Sequence, residues 1–372
     1  MMKLKQLKNK QIIPYQDHAI CSTLHCPLYT ALSLLKNIPD VATITIGMSE
    51  CAFYSTKGIE LSKGVHYNYV LDEKELIFGY EKPLKQAIEA LICDGYSKIL
   101  LLNTCVSAFL DFDLNSMIAS FNQNQCRVQL IDLAYIHFPS SVVGYDKIYE
   151  ALIQFELDQP IINQVNIIGH AKGKEYQILL DALSQKYDLC FFDESHLENI
   201  SKLKQGCLNI VFSSLYQSMS IHSTQPTLHF YEGYNEEKIR ELYQQIEQIL
   251  SISIPIKFKK MNYPKLQGTY SSFIHDKDIF ILLFILEQMN LSVEQLHLEY
   301  FSKNDRQWIT KLAFNPEVIY SVETNEYNDT LVINNQIFYA YEIIPLLNLI
   351  GYERIEAIIK LIQRKEVKYA TL

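Results

Sequence analysis

The sequence predicts an α/β protein built from three Rossmann-like blocks, each with a parallel sheet. Short apolar runs rich in β-branched residues alternate with longer amphipathic segments along the chain. Such alternation is typical of parallel sheets covered by helices. The chain of 372 residues is also too long for one ordinary domain. We therefore predict an N-terminal domain over residues 1–158, a second over 159–255, and a third over 256–372 with a C-terminal helix.

Three cysteines of the first block lie where predicted elements begin or end. Cys26 precedes a helix that Pro27 suits in its first turn, while Cys51 and Cys105 each follow a β-like run. Open α/β sheets place their ligands at strand ends. Three thiols brought together there would form a metal site, and an iron–sulfur cluster is the metal centre that fits them best.

The second and third blocks repeat the alternation without such cysteines. Predicted strands of the second block are Gln164–Ile168, Leu189–Phe192, Cys207–Phe212 and Thr227–Phe230. Those of the third block are Thr269–Ile274, Gln295–Tyr300 and Val318–Val322. No GxGxxG follows any strand, so the sequence does not support ordinary dinucleotide binding.

Composition excludes several classes of function. The net charge of -9 and the pI of about 5.6 argue against nucleic-acid binding, which needs a basic face. No apolar run reaches the roughly 18 residues of a membrane-spanning helix. We therefore expect a soluble, cytoplasmic protein with no membrane partner.

The eight cysteines are too sparse for a disulfide scaffold. The ordinary interpretation of any one cysteine is a small core residue. We adopt it for Cys93, Cys126, Cys190 and Cys207, which fall within or beside apolar helices and strands. For the three boundary cysteines, spacing alone leaves both a core role and a shared metal site open.

Ordered motifs in the first block resemble those of the nitrogenase component 1 family. They comprise a Cys-Pro opening, a second cysteine, a Phe-Gly-x-x-x-x-Leu segment, a third cysteine followed by an acidic element, and a glycine turn. The segments are residues 26–40, 47–54, 78–88, 103–114 and 143–145.

This resemblance implies a subunit of a two-component reductase. Cys26, Cys51 and Cys105 would hold an iron–sulfur cluster, either [4Fe-4S] or a P-cluster-like 8Fe variant. A homologous component 1 subunit or Cys21 would supply further ligands. An ATP-dependent iron protein would deliver electrons for an unidentified substrate. The chain itself has no GxxxxGK[ST] phosphate loop.

The sequence also departs from the family pattern. Residues 47–50 replace the usual His-Gly pair before the second cysteine, and no cysteine follows Cys207. We therefore expect no dinitrogen reduction. Glu50 is either a proton relay or a solvated loop acid. His25 could hydrogen-bond a cluster sulfur or merely orient its loop. The remaining candidates near strand ends are better interpreted as surface or capping histidines: His170, His222, His229 and His275.

Two alternatives to a reductase remain. The chain could be a non-catalytic scaffold for metallocluster or cofactor assembly, as some family members are. It could also be a binding or structural protein that has kept the fold without turnover.

Overall fold

The computed structural model has the predicted α/β class. It describes residues 2–3, 26–51, 63–110, 112–122, 126–138, 142–156, 161–193, 195–217, 225–272, 279–298, 317–320 and 330–369. Within these ranges the strands form three sheets of four, four and six strands, with helices packed on them.

The first sheet is fully parallel, with the strand order β3-β2-β4-β5. Helices cover both of its faces, so strands such as Ala42–Gly47 are buried along their whole length. Its strands are β2 (Ala42–Gly47), β3 (His66–Val70), β4 (Lys98–Asn103) and β5 (Arg127–Asp132). Its helices are α1 (Pro27–Leu35), α2 (Glu73–Phe78), α3 (Glu81–Cys93), α4 (Cys105–Phe109), α5 (Leu114–Phe121) and α6 (Val142–Phe155).

The second sheet is also fully parallel, and its order β7-β6-β8-β9 repeats the connectivity of the first. Its strands are β6 (Gln164–Ile168), β7 (Asp188–Phe192), β8 (Leu208–Val211) and β9 (Thr227–His229). Its helices are α7 (Lys174–Ser184), α8 (Ile200–Leu203) and α9 (Glu236–Leu250). Three 3-10 turns accompany them: Leu197–Asn199, Ser214–Tyr216 and Phe230–Glu232.

The third sheet is mixed. Strands β10, β11 and β12 are parallel, but β13, β14 and the N-terminal β1 pair antiparallel at its two sides. Its strands are β1 (Met2–Lys3), β10 (Thr269–Ser272), β11 (Ser292–Leu298), β12 (Glu317–Tyr320), β13 (Thr330–Ile333) and β14 (Gln336–Tyr339). Its helices are α10 (Ile279–Gln288), α11 (Ala340–Leu347) and α12 (Gly351–Tyr369). Because β1 joins this sheet, the N-terminal strand belongs spatially to the third block, and the predicted domain boundaries stay a prediction.

One continuous apolar core joins the three blocks, and a second core lies on the opposite face of the first sheet. Helix α6 packs along α1 and also contributes to the second block, where Tyr149 lies against Phe192 and Tyr216. The first and second sheets are therefore held together by a shared helix. Among the described helices, none is long and apolar enough to cross a membrane.

Candidate functional site

Two of the three candidate cysteines follow neighbouring strands at the switch point of the first sheet. Strand β2 leads through Gly47 to Cys51, which lies in a helical segment that includes residues 49–51, and β4 leads to Cys105. The two strands pair in register from Ala42 opposite Ile99 to Ile46 opposite Asn103. In open α/β sheets the crevice at such a switch point is the usual ligand site.

Buried hydroxyls fix the two strand ends against each other. Thr104 donates its hydroxyl to the carbonyl of Ile46 at 2.8 Å, and Ser107 donates to the same carbonyl at 3.0 Å. Both side chains are almost fully buried. Any Cβ on Gly47 would overlap the Thr104 hydroxyl and touch Cys51. The segment before Cys51 and the segment before Cys105 are thus in direct contact.

Cys26 reaches this edge as the N-cap residue of α1. Its backbone is extended, and Pro27 begins the helix, as the sequence predicts. Gly144, near the start of α6, lies against the carbonyl of Pro27 and the hydroxyl of Thr30, where a Cβ would overlap both. Close packing of α6 on α1 therefore holds the Cys26 segment in place.

The Cys26 thiol is affected electrostatically by the other two cysteines. Burial is the main cause that raises its pKa to about 11, and negative charge on Cys105 and Cys51 contributes to this rise. The backbone N–H groups of Leu28 and Tyr29, at the start of α1, act in the opposite direction. The structure therefore brings together the three cysteines that the sequence singles out, in a partly buried position.

The donor set suits a cluster better than a single ion. No group of three His, Cys, Asp or Glu side chains in the described ranges is arranged to hold one metal ion. A cluster differs because each thiolate binds a separate iron, so its ligands stand farther apart. Negative charge on neighbouring thiols favours a bound cation, since a coordinating thiol loses its proton outright. Three thiols fit such a cluster, which needs further ligation from elsewhere.

Predictions for the other cysteines are mostly confirmed, with one error. Cys126 and Cys190 are buried, and Cys207 is partly buried with its thiol donating to the Gln164 carbonyl at 3.1 Å. The prediction that Cys93 is a core residue was wrong, because it is exposed. It ends α3, whose buried stripe stops at Leu91.

The acidic candidate is an exposed neighbour of Cys51, and the histidine candidates lie in the second block or outside the described residues. Glu50 is exposed and accepts the Ser49 hydroxyl at 3.2 Å, which agrees with a solvated loop acid. His170 lies at the surface near Asp193, and His229 is partly buried at the end of β9. The candidates outside the described ranges are Cys21, His25, His222 and His275.

Sequence reasoning missed an apolar surface beside the thiols. Phe78 is 83% exposed at the end of α2, Ile77 is 73% exposed, and Phe109 is 80% exposed at the end of α4. Gly79, directly after α2, lies against the ring of Phe112, three residues after the end of α4. Phe109 follows Cys105 by four residues and shares its helix face. The sequence shows Phe78 and Phe109 but not that their rings are exposed, so it carried no clear signal for this surface.

Comparisons with known proteins agree with this architecture. The family model described as nitrogenase component 1 type oxidoreductase matches residues 26–283. A solved structure of nitrogenase Cp1 at pH 6.5 is 12% identical and superposes with a TM-score of 0.54, covering 84% of this chain and 80% of that chain.

A second structure, nitrogenase Cp1 at pH 5, is 14% identical with a TM-score of 0.47, covering 94% of this chain and 80% of that chain. No curated protein matches the chain significantly. The structural likeness concerns the fold, and the family match spans most of the chain, including all three candidate cysteines. The chain therefore belongs to the nitrogenase component 1 type oxidoreductase family.

Proposed function

We propose that this protein is a subunit of a nitrogenase-like two-component reductase that holds an iron–sulfur cluster. The cluster, [4Fe-4S] or a P-cluster-like 8Fe variant, would relay electrons from an ATP-hydrolysing iron protein to an unidentified substrate. One observation carries the proposal: three cysteines from distant parts of the first block lie close enough that the charges of Cys51 and Cys105 act on the Cys26 thiol.

The chain's own residues would hold and shield the cluster. An iron–sulfur cluster, when bound, accepts and releases single electrons. Cys26, Cys51 and Cys105 would bind it as thiolates. Thr104 and Ser107 fix the two strand ends that carry the latter two cysteines, because both bond the Ile46 carbonyl. Backbone N–H groups at the start of α1 favour negative charge on the Cys26 sulfur.

Iron and sulfide content after anaerobic purification, combined with EPR, tests the site. Wild-type protein is expected to contain iron and acid-labile sulfide, and Cys51→Ala is expected to lose most of both. Cys93→Ala is the matched control, because Cys93 is an exposed thiol of the same block. Unchanged iron per chain in Cys51→Ala would show that the ligand assignment is wrong.

The exposed apolar side chains support a homologous component 1 subunit as the partner at this edge. Solvent-exposed apolar clusters beside a functional site often mark a protein interface. Three thiols also leave a four-iron cluster one ligand short, which a partner subunit or Cys21 would supply. The chain lacks a phosphate loop, so ATP hydrolysis is assigned to a separate iron protein.

Paired surface substitutions test the interface by sedimentation velocity. Phe78→Ser with Phe109→Ser should dissociate any oligomer of the wild-type chain while changing its unfolding free energy by less than about 0.5 kcal/mol. Ile161→Ser is the control, since Ile161 is exposed in the second block. If the oligomer persists in the double variant, the interface lies elsewhere on the chain. If the wild-type chain is monomeric, the partner is a different chain.

A cofactor-assembly scaffold is the second candidate function. The switch-point crevice of the second sheet favours it, because the ring of Tyr216 packs against Gly169 there and takes up space that a bound substrate would need. The reductase turns over substrate with an iron protein, ATP and reductant. A scaffold instead releases its cluster to an acceptor protein without turnover.

A further inference from the structure

Two short motifs of the form Gly-x-Glu face each other between the second and third blocks. Gly173-Lys174-Glu175 begins helix α7, and Gly351-Tyr352-Glu353 begins helix α12. They are 178 residues apart in the chain. Neither belongs to the cysteine site.

Each glutamate caps the other helix. Glu175 accepts the backbone N–H of Tyr352 at 3.1 Å and that of Glu353 at 3.0 Å. Glu353 in turn accepts the backbone N–H of Glu175 at 3.2 Å. The first N–H groups of a helix have no intrahelical partner and favour negative charge. The carboxyl group at the start of each helix thus accepts hydrogen bonds from the unpaired N–H groups at the start of the other helix.

The glycines make this exchange possible. Gly173 has a φ of 106° and Gly351 a φ of 56°, both in the left-handed region. A Cβ on Gly173 would overlap the carboxyl group of Glu353, and a Cβ on Gly351 would overlap that of Glu175. Glycine is therefore required at both positions, because the backbone is left-handed and because a Cβ would overlap the opposite carboxyl group.

The exchange lies at the carboxyl edge of the second sheet, where open α/β sheets usually bind ligands. The loop over residues 169–173 follows β6, one of the two strands at the switch point. Lys172 donates its backbone N–H to the Asn348 carbonyl at 2.9 Å and pairs with Leu349 as an isolated bridge. The start of α12 consequently covers this loop.

Several charged and titratable groups face Glu175. Tyr243 from α9 donates its hydroxyl at 3.4 Å, Glu353 lies opposite, and Lys259 approaches from the segment before β10. Burial raises the pKa of Glu175 to about 6, and the charge of Glu353 adds to this rise. The N–H groups of Tyr352 and Glu353 and the charge of Lys259 oppose it.

We propose that the paired Gly-x-Glu motifs form a latch that closes the carboxyl edge of the second sheet and loosens when the Glu175 carboxyl group becomes ionised opposite Glu353. An acid whose pKa is higher in the closed form binds its proton more tightly there. Closure is therefore strongest at low pH and weakens as pH rises through the range between the open and closed pKa values. The latch concerns the second and third blocks and does not depend on a cluster in the first.

Backbone hydrogen exchange, corrected for the intrinsic pH dependence of exchange, tests the latch in the full chain. The reporters are the amides of Tyr352 and Glu353, which the carboxyl group binds, and that of Lys172, which it does not touch. In wild-type protein the opening of all three should increase roughly tenfold between pH 5 and pH 7.5. In Glu175→Gln, which keeps the acceptor oxygen without the charge, this increase should disappear. Asp181→Asn, on the exposed side of α7, should behave as wild type.

Two results would overturn the proposal. If only the Tyr352 and Glu353 amides respond and Lys172 does not, the carboxyl groups are local helix caps and hold no latch. If Glu175→Gln keeps the wild-type pH dependence, another group controls the opening. Glu353→Gln gives a second check, because removing its charge should reduce the pH dependence at Lys172 as well.

Discussion

The first and second sheets share one strand order but differ at their switch points. In the first sheet, Gly47 at the end of β2 meets Thr104 after β4, and two thiols follow these residues. In the second, Gly169 after β6 meets the ring of Tyr216 after β8. One crevice presents two partly buried thiols, while the other is packed with aromatic rings and adjoins the start of α12. Equal topology therefore creates a crevice at the same point of both sheets, and the side chains decide how each crevice is lined.

The largest expected difference between the two crevices is in stability. Tyr216→Ala removes a ring that is 2% exposed and packs against Tyr149 and Phe192, so it should cost about 3–5 kcal/mol of unfolding free energy. Cys105→Ala should cost the metal-free chain less than about 1.5 kcal/mol, because it removes one partly buried atom. Chemical denaturation of the metal-free proteins measures both values. Equal losses of unfolding free energy in the two variants would mean that the two crevices do not differ in how much their side chains contribute to packing.

A smaller effect is expected from crowding the first crevice. Gly47→Ala puts a methyl group onto the buried Thr104 hydroxyl, so it should destabilise the chain by about 1–3 kcal/mol and lower its iron content. Gly233→Ala is the control, because the added carbon would make only ordinary contacts of 3.4–3.5 Å. The measurements are urea denaturation and iron analysis on the same samples. Full iron content in Gly47→Ala would show that cluster binding does not depend on the contact between the two strand ends.

The smallest effect is the pH dependence at the covered edge of the second sheet. Glu175 has a raised pKa of about 6, so its ionisation costs the folded state free energy as pH rises from about 4.5 to 6. Glu175→Gln should therefore be more stable than wild type at pH 7.5 by at most about 1 kcal/mol, after allowance for solvent screening. At pH 4.5 the two proteins should be equally stable. Thermal unfolding across this pH range measures the difference. If the stability difference between variant and wild type is the same at every pH, the ionisation of the Glu175 carboxyl group is not its cause.

Local sequence patterns predicted the elements that carry the first crevice. The β-like runs before Cys51 and Cys105 are strands β2 and β4, and Pro27 begins α1. These features are legible because strand composition and helix-start chemistry act over a few residues. The same reasoning placed Cys93 in the core wrongly, since a helical stripe does not show where its buried portion ends.

By itself, the sequence determined the α/β class, the alternation of strands and helices, and the three boundary cysteines. Only the tertiary structure decided that Cys26 lies near Cys51 and Cys105. It also decided that Glu175 caps the start of α12 and that Glu353 caps the start of α7. The physical reason is separation along the chain. Local propensities act between near neighbours, whereas these contacts depend on how α6 packs on α1 and how α12 packs on the second sheet. The close approaches at Gly144, Gly173 and Gly351 allow that packing, and no periodic pattern identifies their partners.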